Sequence, residues 1–97
     1  MSSGIDVNAQ NLSGKTALHE AARTGKTAMV TLLLDNGANI NSTDATGKTV
    51  LIDSIHSGNI ELVKMLLTRG ASPQIQEMYG RNAYHEAAES GNIELIN

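Results

Sequence analysis

Glycine recurs in this chain with a single period. Gly14, Gly47 and Gly80 stand 33 residues apart, as do Gly25, Gly58 and Gly91, and Gly4, Gly37 and Gly70. These three ladders account for all nine glycines. Glycine enters the left-handed backbone region without a side-chain clash. Three such places at constant offsets therefore dictate one chain path, repeated. A period of this length marks a supersecondary unit stacked on copies of itself. Such a stack offers an extended surface and seldom a catalytic pocket.

Other residues follow the same period. Leu18 falls on Leu51, Glu20 on Asp53, Val30 on Val63, Leu33 and Leu34 on Leu66 and Leu67, and Ala38 on Ala71. In the third unit Tyr84-His85-Glu86-Ala87-Ala88 repeats Leu18-His19-Glu20-Ala21-Ala22. Each unit reads as two short helices. The first spans about 17–24. Thr16, Thr49 and Asn82 precede its three copies, and each of these residue types can cap a helix by accepting an orphan backbone N–H. Gly25, Gly58 and Gly91 close it. The second helix spans about 27–35 and ends at Gly37 and Gly70. Asn59 and Asn92 suit its N-cap in the later copies. Glu61 and Glu94 lie in the first turn, where the helix dipole favours negative charge. Met29, Val30, Leu33 and Leu34 share a helical face, and Leu62, Val63, Leu66 and Leu67 repeat the pattern. Helices this short are marginal alone, so neighbouring units must hold them. The polar link at 39–47 between helix pairs has the residues of turns.

The run Gly14-Lys15-Thr16-Ala17-Leu18-His19-Glu20-Ala21-Ala22, followed by Gly25, Val30, Leu33-Leu34 and Gly37-Ala38-Asn39-Ile40-Asn41, resembles an ankyrin repeat. That family has a 33-residue period and a T-P-L-H-x-A signature. The resemblance covers nearly the whole chain and implies an all-α ankyrin-repeat solenoid, with helix-turn-helix units and β-hairpin-like turns. Residues 1–97 then form one array, with 1–13 the tail of a preceding or capping unit, 14–46 and 47–79 full repeats, and 80–97 a truncated repeat. The signature proline is replaced by Ala17, Val50 and Ala83, which is tolerable because proline suits the first helical position without being required there. Ile52 and Ile55 replace the His and Ala of the other units, so different contacts must hold that turn. The opening Gly4-Ile5-Asp6-Val7-Asn8-Ala9 aligns with the end of a unit, and the chain stops inside a second helix. Neither end shows the polar face of a terminal repeat. The chain reads as a piece of a longer array, or as one whose open ends pack on neighbouring repeats or another chain.

Composition narrows the classes of partner. Seven basic and ten acidic residues leave a net charge of −3, with an isoelectric point near 5.4 and no basic patch, which speaks against nucleic acid. The longest strictly apolar run is three residues, too short to span a membrane. Met1-Ser2-Ser3-Gly4 lacks the apolar stretch of a signal peptide. Without cysteine there are no disulfides or thiolate metal sites. Two tyrosines are the only aromatics, so the core is aliphatic. The family resemblance implies an intracellular protein, cytoplasmic or nuclear.

Two chemical look-alikes dissolve on inspection. Gly-Lys-Thr occurs at Gly14, Gly25 and Gly47, like the end of a phosphate loop. That loop needs a further glycine five residues earlier, where Ala9, Glu20 and Ser42 stand. His19-Glu20 and His85-Glu86 are reminiscent of a zinc-protease helix, but the second histidine one turn on is replaced by Arg23 and Glu89. The resemblance gives these histidines a structural job in the turn. His56 stands alone in the sequence and reads as exposed. No catalytic, cofactor or metal site is legible.

The resemblance places partner recognition on the turn tips and first helices, which form a concave surface in such stacks. By alignment these positions hold Leu12, Ser13, Lys15 and Arg23 in the first unit, Thr43, Thr46, Lys48 and His56 in the second, and Met78, Tyr79, Arg81 and Glu89 in the third. An exposed Met, Tyr and Arg in the tip 78–81 suit an interface hot spot. The stretch 32–41 also resembles the segment of ankyrin proteins that an asparaginyl hydroxylase modifies, with Asn41, and less clearly Asn8, as target. Turn chemistry alone also explains these asparagines. The chain thus reads as a non-catalytic interaction module, a scaffold or adaptor in signalling or regulation that binds a protein partner without a cofactor. The alternatives are an architectural spacer, or a self-stacking assembly element within a larger protein.

Overall fold

The computed structural model describes residues 6–91. Five helices follow one another: α1 (Ala17–Arg23), α2 (Thr27–Asp35), α3 (Val50–Ser57), α4 (Ile60–Thr68) and α5 (Ala83–Ser90). There is no strand among the described residues. A single antiparallel bridge, Thr43 to Thr49, closes the turn ahead of α3. The sequence expectation for the cap of a further helix at Asn92, and for Glu94, lies outside the described residues. So does the glycine position Gly4.

Local signals set the helix boundaries. Thr16 Oγ1 accepts the His19 backbone N–H at 3.3 Å, and His19 Nδ1 accepts the Thr16 N–H at 3.2 Å. This is a capping box with histidine in the place usually held by Glu or Gln. Asn82 and His85 repeat it at α5. At α3 Thr49 Oγ1 accepts the Ile52 N–H at 3.2 Å, but Ile52 returns nothing and its side chain is fully buried. The Asn59 side chain caps α4 by accepting the Leu62 N–H at 3.2 Å. The eight described glycines all have φ between +73° and +101°. The first helix is one residue shorter than expected, with Thr24 as its C-cap.

The first helix of each unit packs on the first helix of the next, α1 on α3 and α3 on α5, while α2 and α4 back them. Leu18, Ala22, Val30, Val50, Leu51, Ile52, Leu62, Val63 and Leu66 form a continuous aliphatic core. The expected apolar face of α2 is only partly dry. Val30 is buried and Leu33 and Leu34 are half-buried, but Met29 lies exposed. Its counterpart Leu62 is buried because α4 has a neighbouring unit on that side, whereas α2 has none among the described residues.

Candidate interaction surface

Each turn tip is built around one acceptor. Asn11 Oδ1 takes the N–H groups of Ser13 and Lys15 at 2.9 and 3.0 Å. Asp44 Oδ1 takes those of Thr46 and Lys48 at 2.9 and 3.0 Å. Glu77 Oε1 takes those of Tyr79 and Arg81 at 2.7 and 3.0 Å. Consecutive tips are then joined through the backbone. The Ala45 N–H donates to Ser13 O at 3.0 Å, and the Met78 N–H donates to Thr46 O at 2.8 Å. Gln10 adds a side-chain bond to Thr43 O at 3.2 Å. The close approach needs glycine at Gly14, whose Cβ, if present, would lie 2.5 Å from the Ala45 nitrogen.

This frame leaves Leu12, Met78 and Tyr79 in solvent, at 106%, 63% and 78% of full exposure. Ser13, Thr43 and Thr46 are exposed beside them, and Arg23, His56 and Glu89 are exposed on the first helices. Lys15, Lys48 and Arg81 are half-buried. Two of these cations are engaged internally. Lys15 Nζ lies 3.2 Å from Asp44 Oδ2 and 3.7 Å from Asp53 Oδ2, tying the first unit to the second. Arg81 Nε donates to Glu86 Oε1 at 3.2 Å, and its guanidinium also reaches Glu89. His56, which reads as isolated in the sequence, is exposed but not alone: its Nε2 sits 2.9 Å from Glu86 Oε2. Arg23 pairs with Glu20 at 2.6 Å within α1.

Three carboxylates on this face have distinct electrostatics. Burial pushes Asp44 upward, but hydrogen bonds from Thr46, Lys48 and Lys15 outweigh it and hold its pKa at about 2. Glu86 is likewise raised by burial, and its bonds from His56 and Arg81 bring it below the usual glutamate value. Asp53 goes the other way. Burial raises it, the Lys15 charge only partly offsets that, and its Oδ2 has no hydrogen-bond partner.

Asn41 Oδ1 accepts the Ser72 N–H at 2.8 Å, and Asn8 Oδ1 accepts the Asn39 N–H at 2.8 Å. The two bonds are one contact translated by a unit, tying each turn to the next. The asparagines that resemble hydroxylation targets therefore have a turn-bonding role of their own. Among the described residues no group of three His, Cys, Asp or Glu could hold a metal, and no helix is long and apolar enough to cross a membrane.

A family model of ankyrin repeats in three copies matches residues 1–77. The chain is an ankyrin repeat protein. No curated protein matches it. Its five described helices and hairpin-like turns make it an all-α ankyrin solenoid. Ankyrin repeats generally act as protein–protein interaction modules and are typically not catalytic. The ankyrin turn explains the histidine of the signature. His19 Nδ1 faces the Thr16 N–H and its Nε2 lies 3.1 Å from Lys48 O, so the ring proton sits on Nε2 and bonds the following unit.

The acceptor ladder Asn11, Asp44 and Glu77 escaped the reading of the sequence. Its signal was available: the three residues are 33 apart and each precedes a ladder glycine by three positions. The Lys15 and His56 ion pairs had no such signal, because their partners are set by how helices stack.

Proposed function

We propose that this ankyrin array is a recognition module that holds a partner protein along its turn tips and the exposed positions of its first helices. The observation that carries this reading is the exposure of Leu12, Met78 and Tyr79 on tips locked together by backbone hydrogen bonds. Apolar and aromatic side chains on a preordered frame lose little entropy on binding, and an aromatic anchor of this kind suits a hot spot. Lys15 and Arg81 contribute less as direct contacts, since they are half-buried as well as paired; Lys48 and the exposed Arg23, His56 and Glu89 supply the polar rim. The module works inside the cell, without catalysis, as part of a scaffold or regulatory protein.

The test compares two variants in pull-downs from cell extract, one with Leu12, Met78 and Tyr79 replaced by Ser and one with the back-face residues Glu61 and Thr68 replaced by Ala. A partner kept by the wild type and the back-face variant, but lost by the tip variant, is the expected result. A partner held equally well without the three tip side chains would reject the assignment.

A further inference from the structure

The chain contains one Asn-Gly step, Asn36-Gly37, and it closes α2. Asn36 is the C-cap, and Gly37 follows with φ +93°. The Gly37 N–H donates to Leu34 O at 3.1 Å and the Ala38 N–H to Leu33 O at 3.0 Å, the paired bonds of a Schellman end. Asn36 differs from the other described asparagines. Asn8, Asn11, Asn39, Asn41, Asn59 and Asn82 each hold a backbone N–H on Oδ1. Asn36 Oδ1 accepts nothing from the described residues, while its Nδ2 donates to Leu32 O at 2.8 Å. Asn36 and Gly37 are both exposed. Arg69 and Gly70, at the same place in the second unit, are exposed as well, although the first unit packs against that one, so this exposure survives the packing of a neighbour.

We propose that Asn36 is a site of self-modification, at which the Gly37 backbone nitrogen closes on the Asn36 carboxamide and turns it into an acid. The Gly37 nitrogen loses its proton to hydroxide and bonds to Asn36 Cγ. The Cγ–Nδ2 bond breaks, and Nδ2 takes a proton from water and leaves as ammonia. The product is a five-membered succinimide, which water then opens. Attack of water at Cγ gives an aspartate. Attack at the α-carbonyl carbon gives an isoaspartate, whose main chain runs through Cγ. Overall one water is consumed and one ammonia released, and nothing is oxidised or reduced. Glycine favours the step because no Cβ shields its nitrogen, and the space a Cβ would fill at Gly37 is open to 4 Å. After Asn39 and Asn59 stand Ile40 and Ile60, which branch at Cβ beside the corresponding nitrogen. In the folded chain the Gly37 N–H is tied to Leu34 O, so the reaction waits for the last turn of α2 to fray, an opening of low free energy at an exposed helix end. The product then keeps that turn loose. Its carboxylate opposes the helix dipole and lies beside Asp35. The isoaspartate also adds a backbone atom ahead of Gly37, which throws the bonds to Leu33 and Leu34 out of register. The second unit is spared, because Arg69 stands in this place and pairs with Asp35 across the units at 2.9 Å.

Incubation of the folded 97-residue chain at neutral and mildly alkaline pH, followed by tryptic mass spectrometry at intervals, tests this. One tryptic peptide, Thr27–Lys48, carries Asn36, Asn39 and Asn41, so the three compete within it. The amide-to-acid mass gain should appear at Asn36 roughly tenfold faster than at either of the others, because only Asn36 precedes glycine. It should be faster still at the higher pH. An isoaspartyl methyltransferase with S-adenosylmethionine should label the same position. Asn36→Gln keeps the carboxamide but would need a six-membered ring, and it should stay unconverted. The converted chain, separated by anion exchange, should unfold at a lower urea midpoint than the parent. Conversion first at Asn39 or Asn41, or an Asn36 that stays intact in the folded chain yet converts in urea, would overturn the site. An unchanged urea midpoint would overturn its effect on α2.

Discussion

His19 Nε2 lies 3.1 Å from the carbonyl oxygen of Lys48, so one buried ring caps its own helix and fastens the next unit. The second unit solves the same position differently, with the fully buried Ile52 and no such bond. His19→Ala removes the cap partner, the bond to Lys48 and a buried ring. The expected loss is about 2–4 kcal/mol. His19→Ile refills the volume, as Ile52 does, and should lose clearly less. Urea midpoints of the two variants check the order, and an equal loss would contradict the dual role.

Burial decides how much each leucine matters. Leu66 is wholly buried, whereas Leu33 lines the open α1–α2 face and is half-buried. Leu66→Ala should cost roughly 2–5 kcal/mol, as truncation of a buried leucine does. Leu33→Ala should cost less than half as much in the monomer. Chemical denaturation at low protein concentration measures both.

Gly14 and Gly58 share nearly the same positive φ, +75° and +76°. They differ in surroundings. A Cβ at Gly14 would strike the Ala45 nitrogen at 2.5 Å, while one at Gly58 would meet nothing within 4 Å. Gly58→Ala should therefore cost only the left-handed backbone penalty, about 1–2 kcal/mol. Gly14→Ala should cost more, and should also loosen the Ser13–Ala45 bond between tips. Thermal melts rank the two, and amide exchange at Ala45 reports the bond.

Asp44 and Asp53 should respond oppositely to pH. The folded state holds Asp44 at about 2, below its ordinary 3.8. Its stabilisation is thus present above 3.8 and is lost as pH falls from there through about 2. The gap is worth about 2 kcal/mol at neutral pH, so Asp44→Asn should weaken the fold there, by an amount that shrinks as pH falls toward about 2. Asp53 is raised in the fold. Its contribution is present below the ordinary carboxylate value and is lost as pH rises through the folded one. Asp53→Asn should therefore raise the urea midpoint at neutral pH. A fall would show that the Lys15 attraction outweighs burial.

The repeat, its paired helices and their caps were legible in the amino-acid order because each depends on a few neighbouring residues. A glycine sets a left-handed turn, Thr16, Thr49 and Asn82 accept orphan N–H groups, and leucine spacing marks a helical face. The period then copies that local unit along the chain. What only the tertiary structure decided is which equivalent positions are dry and which charges pair. Met29 and Leu62 share a place in the repeat, yet one is wet and the other buried. Lys15 meets Asp44 across 29 residues, and His56 meets Glu86 across 30. These outcomes depend on whether a neighbouring unit covers a face and at what register it docks, which is a property of the packed stack and not of any local stretch.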